Sequence, residues 1–170
     1  MPIHFGFSYV GLIYLVMLYV PNIIWSFYKP KDYELFVQKE NRFLQWLERI
    51  GEVAVTILVL IFSDFNIHRI SYWSIFLLCS FLFMIFYELY WIRYFKSDRR
   101  MCDMYSSFLK IPVAGATLPI IAFLLLGIYG KNIFLILATI LLGIGYIGIH
   151  LSLLKKIRLK AGGDFCEKDH

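Results

Sequence analysis

The sequence predicts an all-α protein, an integral membrane bundle of five transmembrane helices. Of its 170 residues, 60% are hydrophobic and only 17% are charged, whereas an average soluble domain is roughly 45–50% apolar and about 25% charged. The mean hydropathy of +0.69 is too high for one small core to hide the apolar surface. This composition excludes a soluble globular enzyme, and it also excludes a disordered chain, which is poor in apolar residues.

Five segments have about the 20 apolar residues that a helix needs to cross ~30 Å of hydrocarbon. They are residues 5–27, 46–65, 72–92, 107–129 and 133–154. The second segment is the least regular, because its uninterrupted apolar run covers only residues 53–62. Tryptophan favours the headgroup region, and each of the four tryptophans lies near a predicted helix end. We therefore predict one transmembrane domain over residues 1–154, followed by a basic tail over residues 155–170.

Basic residues predict the orientation of the bundle. Fifteen of the 17 Lys and Arg residues lie in the first and third connections, in the tail or at the adjoining helix ends, and only Arg69 and Lys131 lie on the opposite side. By the positive-inside rule, the N-terminus is outside and the C-terminus is cytoplasmic. The expected location is the cell membrane, with several passes. Anionic headgroups on the cytoplasmic side attract each basic residue by ~1 kcal/mol, so the net charge of +5 requires no nucleic acid partner.

Polar residues inside the predicted helices gather at one depth. Each helix carries one within ~5–9 Å of its cytoplasmic end at 1.5 Å per residue: Asn22, Glu52, Glu88, Lys110 and His150. Glu48 lies one turn before Glu52, on a stripe of polar residues at helical spacing. A lipid-facing acid would cost about 2.5–3.5 kcal/mol, so these side chains are expected to face the inside of the bundle.

The functional hypothesis is a polar layer, open to the cytoplasm, that binds or transports a small solute or a proton. In it, Glu52 and Glu88 carry the charge or accept the proton, while Lys110 and His150 tune them. Two structural interpretations stay open. The side chains can reach the headgroups by snorkelling, or they can form an internal salt-bridge network.

Two groups of helix-perturbing residues have both a functional and a structural interpretation. Pro112, Gly115 and Pro119 interrupt the fourth helix and are hypothesised to act as a hinge, although membrane helices also tolerate proline without a functional role. Gly143, Gly145 and Gly148 match a dinucleotide-binding pattern literally, but they lie inside an apolar helix. They indicate close helix packing instead.

No catalytic signature was found, and neither a cofactor nor a metal site is predicted. His4, Asp64 and His68 match no defined metal-binding spacing. The main alternative to a binding or transport role is a membrane-embedded interaction or accessory subunit, in a homo-oligomer or beside a partner subunit. Its docking surface would be the face of the fifth helix formed by Gly145, Gly148 and Ser152. An intramembrane enzyme that acts on lipid is the third interpretation.

Several segments resemble a family of small multi-pass membrane proteins of uncharacterised function. They are Val20-Pro21-Asn22-Ile23-Ile24-Trp25, Glu48-Arg49-Ile50-Gly51, Tyr90-Trp91-Ile92-Arg93-Tyr94-Phe95 and residues 111–119. This resemblance implies a multi-pass fold and no activity. In addition, Trp25-Ser26-Phe27-Tyr28-Lys29-Pro30 is similar to the end of the first helix in the tryptophan-rich sensory/translocator proteins. The paired prolines and later tryptophan-rich stretches of that family are missing, so no residue role is transferred.

Overall fold

Helices account for all regular structure in the residues that the computed structural model describes, which are 3–36, 41–67 and 70–161. In chain order they are α1 (Tyr9–Phe27), α2 (Tyr33–Phe36), α3 (Arg42–Ile61), α4 (Ser74–Lys96), α5 (Met101–Tyr105), α6 (Ala114–Tyr129) and α7 (Ile133–Ala161). A single 3₁₀ turn, Ser63–Phe65, follows α3. Within these ranges there is no β-strand, as an all-α fold requires.

Three of the described helices are long and apolar enough to cross a membrane. They are α1, α4 and the Ile133–Leu159 part of α7. Helix α6 is apolar but has only 16 residues, which rise ~24 Å. Helix α3 has 20 residues but carries Arg42, Glu48, Arg49 and Glu52. The helices therefore indicate a membrane protein by their length and composition.

Helix bounds differ from the sequence prediction mainly at the helix ends that the sequence predicts to be cytoplasmic. Helix α3 begins at Arg42, four residues early, because the Asn41 side chain caps it by accepting a hydrogen bond from Phe43 N at 2.9 Å. Helix α4 continues to Lys96, and α7 continues to Ala161, into the segment assigned to the tail.

The start of α6 also differs by seven residues, at Ala114 instead of residue 107. A tight turn precedes it, in which Ile111 N donates to Phe108 O at 2.9 Å while Leu109 and Lys110 have positive φ angles. Pro112 follows this turn. Proline disfavours helical geometry in the residue before it, so the helix cannot extend backwards through Ile111.

The five long helices form a ring in the order α1, α3, α7, α6, α4, with α1 also beside α4. Helices α3 and α7 share the most extensive contact, and they pack closely at glycine, since a Cβ atom added to Gly51 would lie 2.6 Å from Leu142 Cα. Gly145 of α7 leaves the same kind of space for the backbone of Leu44 and Glu48. The glycines of α7 therefore permit close helix packing, as their sequence context predicts.

One end of the ring is tied together by the segment that precedes α1. Gly6 N donates to Ile61 O at 2.9 Å, Ser8 N to Leu60 O at 3.0 Å, and Ser63 N to His4 O at 3.1 Å. The Asn66 side chain joins the same network by accepting from Tyr9 N at 2.9 Å and donating to Phe7 O at 3.0 Å. We call this the tied end.

The outer surface of the ring is apolar. Large apolar side chains are exposed along α1, α3, α4 and α7, for example Val16, Val53, Leu78 and Leu137. Helix α6 differs, because none of its described large apolar side chains is in the exposed class. Helix α6 is thus enclosed by its neighbours, whereas the other four long helices each present an apolar face outward.

Candidate ligand-binding cavity

A cavity of about 320 Å³ lies inside the ring, towards the end opposite the tied end. All seven helices contribute to its lining, with Tyr33 of α2 and Met101, Met104 and Tyr105 of α5 at the end where the short helices lie. Its volume is at the lower end of the ~300–1,000 Å³ that is typical of small-molecule sites. The cavity is therefore large enough for a small organic ligand.

Buried contacts between α1, α4 and α6 close the ring between the cavity and the tied end. The Tyr14 hydroxyl donates to Ser80 Oγ at 2.9 Å, and Ser80 Oγ donates to Ala122 O at 2.6 Å. The Tyr14 ring also packs edge-on against Phe123, which lines the cavity, at a centroid distance of 5.9 Å. We call Tyr14, Ser80, Ala122 and Phe123 the cavity floor.

Asn22 of α1 contributes an amide to the cavity wall and fixes α1 to α4. Its Nδ2 donates to Leu18 O at 2.8 Å and to the Tyr87 hydroxyl at 3.0 Å. On the other side of α1, the Tyr19 hydroxyl and Thr56 Oγ1 of α3 form a hydrogen bond of 2.8 Å. These contacts hold the second half of α1 against both of its neighbours.

His150 of α7 is held in place by two aromatic neighbours. Its Nδ1 is 2.6 Å from the Tyr105 hydroxyl, and its ring meets the Tyr146 ring nearly at right angles at 4.6 Å between centroids. All three residues line the cavity. The Tyr105 bond fixes the ring through Nδ1, and Nε2 is the second ring nitrogen at which imidazole can exchange hydrogen bonds.

The charged side chains that line the cavity, among the residues described, are Glu48 and Glu52. They lie one turn apart on α3. Glu52 is exposed as well as lining the cavity, so the cavity reaches the molecular surface beside α3. No lysine or arginine belongs to the described lining.

Aromatic rings form much of the remaining wall. Trp25 and Tyr33 pack edge-on at 5.5 Å between centroids, and Tyr90 and Trp91 do so at a centroid distance of 5.5 Å. Lys29 lies outside the lining, with Nζ at 5.4 Å from the Tyr33 ring centroid and 6.0 Å from that of Trp25. The protein thus places one of its own ammonium groups on the rings at the rim of the cavity.

Both described tryptophans of the lining keep a buried indole N–H that meets no hydrogen-bond geometry with a described residue. They are Trp25 and Trp91, and Trp91 is only 3% exposed. The Tyr87 hydroxyl is the polar neighbour of the Trp91 indole. Buried N–H groups are normally paired, so these two indoles are exceptions in the described part of the chain.

Six of the nine residues proposed from the sequence lie in the cavity wall: Asn22, Glu48, Glu52, Gly115, Pro119 and His150. Glu88 does not, because the inner face of α4 is occupied by buried neighbours such as Tyr87, Tyr90 and Trp91. Lys110 lies in the exposed turn before α6, and Pro112 is exposed just after it, so neither is inside a helix. The structure therefore separates Glu88 and Lys110 from the group that they were expected to join.

Sequence reasoning missed the aromatic part of the site. Tyr105 lies in α5, a helix absent from the sequence prediction, and Trp25 and Trp91 were interpreted only as markers of the membrane interface. The available signal was the spacing of Tyr87, Tyr90, Trp91 and Tyr94, which places four large aromatic residues on one face of a helix.

The glycine face of α7 is occupied within the chain. Cβ atoms added to Gly145 and Gly148 would meet Leu44 and Glu48 of α3, while Ser152 is exposed and donates to Gly148 O of its own helix at 2.9 Å. The glycines are consequently not free to dock a partner subunit. His4 Nδ1 and Asp64 Oδ1 form a pair at 2.7 Å near the tied end, and the described residues contain no group of three or more potential metal ligands.

Compared with protein-family models, curated proteins and solved structures, the chain shows no significant match. The resemblances noted in the sequence therefore supply no activity or residue role. The functional proposal depends on the geometry of the cavity.

Proposed function

We propose that this chain is a multi-pass protein of the cell membrane that binds a small solute in the cavity and serves its transport, or the transport of a proton. The observation that carries the proposal is the cavity itself, a space of about 320 Å³ that brings Asn22, Glu48, Glu52 and His150 together inside an apolar ring. Ionisable groups at such positions are expensive to keep and are a general mark of function in membrane proteins.

Two of the five long helices do not meet the criteria for a membrane span on their own, since α3 carries charges and α6 has only 16 residues. An arrangement with five membrane passes accounts for both helices. Helix α3 presents Ile50, Val53 and Ile57 outward, while its carboxylates lie on the cavity side. This is the pattern expected of a charged helix inside a membrane bundle. Helix α6 is enclosed by other helices, so its length of 16 residues need not match the hydrocarbon thickness.

The basic residues support an orientation with the N-terminus outside and the C-terminus in the cytoplasm. In this orientation the tied end faces outward and the cavity lies in the cytoplasmic half of the bundle. Described basic residues around that half, such as Lys31, Arg42, Lys96 and Lys155, are placed to contact anionic headgroups. One chain supplies all of the described cavity lining, and a homo-oligomer or a partner subunit would dock on the outer apolar surface.

Native mass spectrometry of the protein released gently from detergent tests the proposal. Leu18→Trp adds bulk to the cavity wall, and Leu12→Trp on the exposed face of the same helix is the matched control. We expect a small molecule to be retained by the wild type and by Leu12→Trp, and to be lost from Leu18→Trp. Absence of any retained molecule from the wild type, or retention that Leu18→Trp leaves unchanged, would contradict the proposal.

The same spectra count the subunits. A second kind of chain that co-purifies with a ligand-free wild type would favour the accessory-subunit interpretation over the binding role. Loss of the retained molecule in Leu18→Trp with an unchanged subunit count would favour the cavity.

A further inference from the structure

The lining of the cavity is almost entirely shielded from the outside. Of the lining residues described, Glu52 alone is exposed, and all the others are buried or half-buried. Glu52 lies ten residues after the start of α3, which places it ~15 Å along a helix that is ~30 Å long. The described opening of the cavity is therefore in the side of the ring, about halfway along α3.

Neither end of the cavity has an exposed lining residue among those described. The cavity floor closes the end that faces the tied end. At the opposite end, α5 is fastened to helices on two sides. The Tyr90 hydroxyl of α4 donates to Met104 O at 2.6 Å, and the Tyr105 hydroxyl is 2.6 Å from Nδ1 of His150 on α7. These bonds hold α5 across the end of the cavity.

The side opening lies at the seam between α1 and α3. The Glu52 side chain is a polar neighbour of the Tyr19 hydroxyl of α1, so it faces this seam. The same hydroxyl forms the 2.8 Å hydrogen bond with Thr56 of α3, one turn nearer the tied end. The other seam of α1, which it shares with α4, is bridged beside the cavity by the 3.0 Å bond between Asn22 and Tyr87.

The outer surface around this opening is apolar. Val20 and Ile23 of α1 are exposed on one side of it, and Val53 and Ile57 of α3 are exposed on the other. Arg49, one turn nearer the start of α3, is exposed and has a side chain long enough to reach the headgroups by snorkelling. In the proposed five-pass arrangement, the opening therefore faces hydrocarbon, and a molecule reaches it from the bilayer.

The polar groups inside the opening suit a hydroxylated molecule. Glu48 and Glu52 contribute carboxylates, which accept hydrogen bonds, while Asn22 and His150 carry both donor and acceptor atoms. A hydroxyl group donates and accepts, so it matches this mixture. A phosphate or carboxylate head accepts only, and the described lining offers it no lysine or arginine.

We infer that the cavity takes its ligand from the bilayer, through the opening between α1 and α3, and that this ligand is an uncharged amphiphile with a hydroxylated head and a hydrocarbon chain. The inference rests on the proposed function and specifies its ligand class and route of entry. The head occupies the cavity of about 320 Å³, and the chain passes beside Glu52 into the lipid.

A photoactivatable glycerol monoester tests this inference on the full chain in phosphatidylcholine nanodiscs. Its long acyl chain carries a diazirine beside the ester, and peptide mass spectrometry locates the adducts after irradiation. We expect adducts on buried lining residues of α6, namely Ala116, Pro119 and Ile120, and their loss when excess 1-monooleoylglycerol competes. The same diazirine ester with a short acyl group, which stays in water, is expected to leave these residues unlabelled.

Three variants test the position of the entrance. Glu52→Trp fills the opening and should lose the α6 adducts, whereas Val53→Trp places the same bulk on the adjacent outward face and should keep them. Glu52→Gln keeps the size of the side chain and removes its charge, so it should also keep them. Adducts on the exposed Leu78 of α4 should persist in every variant, which shows that the chain is folded in the bilayer.

The possible failures are distinguishable from failure of the proposed function. Equal α6 labelling by the water-soluble ester, α6 adducts that Glu52→Trp leaves unchanged, or their loss in Val53→Trp would overturn the lateral entrance and leave the binding cavity in place. If α6 stays unlabelled while native spectra show a retained molecule that Leu18→Trp loses, the amphiphile inference is wrong and the binding function stands. If α6 stays unlabelled and nothing is retained, both proposals fail.

Discussion

Ser80 shows how much the cavity floor depends on one small side chain. It is fully buried, accepts from Tyr14 and donates to Ala122 O. Ser80→Ala would leave the Tyr14 hydroxyl and the Ala122 carbonyl without this partner, and an unsatisfied buried group costs about 1–3 kcal/mol. We therefore expect a lower midpoint of thermal unfolding in detergent. Tryptophan fluorescence recorded during heating measures this midpoint.

Two further variants separate the lost hydrogen bonds from a general effect of substitution. Ser152→Ala removes an exposed hydroxyl that bonds only within its own helix, and it should change stability by less than ~0.5 kcal/mol. Adding Tyr14→Phe to Ser80→Ala removes the stranded hydroxyl and should recover part of the loss. If the double variant is less stable than Ser80→Ala, the floor is held by packing and not by this network.

At the residue scale, the sequence predicted only in part which polar residues would lie together. Glu52 and His150 line the cavity as expected, because a polar residue in an apolar helix turns towards the bundle. Glu88 has a similar sequence context, but four bulky aromatic residues of α4 occupy the inner face. Which side chains of α4 face the cavity depends on packing against helices that are distant in sequence. The periodicity of residues within one helix does not contain this information.

At the element scale, the contact between α3 and α7 is the most extensive between two long helices, and it leads to a prediction about Gly145. A Cβ atom at Gly145 would overlap backbone atoms of Leu44 and Glu48, which can move only if the two helices separate. Overpacking of this kind costs about 1–3 kcal/mol. Gly145→Ala should therefore lower the unfolding midpoint, although alanine is the better helix former.

Gly143→Ala is the matched control on the same helix. Its Cβ would lie 3.1 Å from Ile120 Cγ2, the end of a side chain that can move by a few tenths of an ångström. We expect this substitution to change the free energy of unfolding by less than ~0.5 kcal/mol, so the unfolding midpoint should stay close to that of the wild type. Equal effects of the two substitutions would show that the backbone of α3 does not limit this interface.

At the element scale, the apolar helices could be predicted because the length of an apolar run is a property of the sequence itself. Helices α1, α4 and α7 overlap their predicted spans almost completely. The start of α6 could not be predicted, since its turn uses positive φ angles at Leu109 and Lys110, which are not turn-forming residue types. The short helix α5 carries no periodic apolar pattern long enough to be recognised.

At the scale of the whole molecule, the tied end is proposed to face outward and the cavity to lie in the cytoplasmic half. Reporter fusions test this orientation. We expect green fluorescent protein fused after residue 170 to fluoresce in a bacterial host, and alkaline phosphatase at the same point to be inactive, because this end is proposed to be cytoplasmic. Fusions after residue 67, in the connection between α3 and α4, should show the opposite activities. Active phosphatase after residue 170 would reverse the proposed orientation and place the cavity in the outer half.

The pairing at the tied end also constrains how the chain is made. Gly6 and Ser8 donate to Ile61 and Leu60, which lie more than 50 positions further along the chain. Because a ribosome delivers the N-terminal part first, α1 is synthesised before the acceptors for these two amides. The tied end therefore forms only after α3 has followed, and until then both amides need other hydrogen-bond partners.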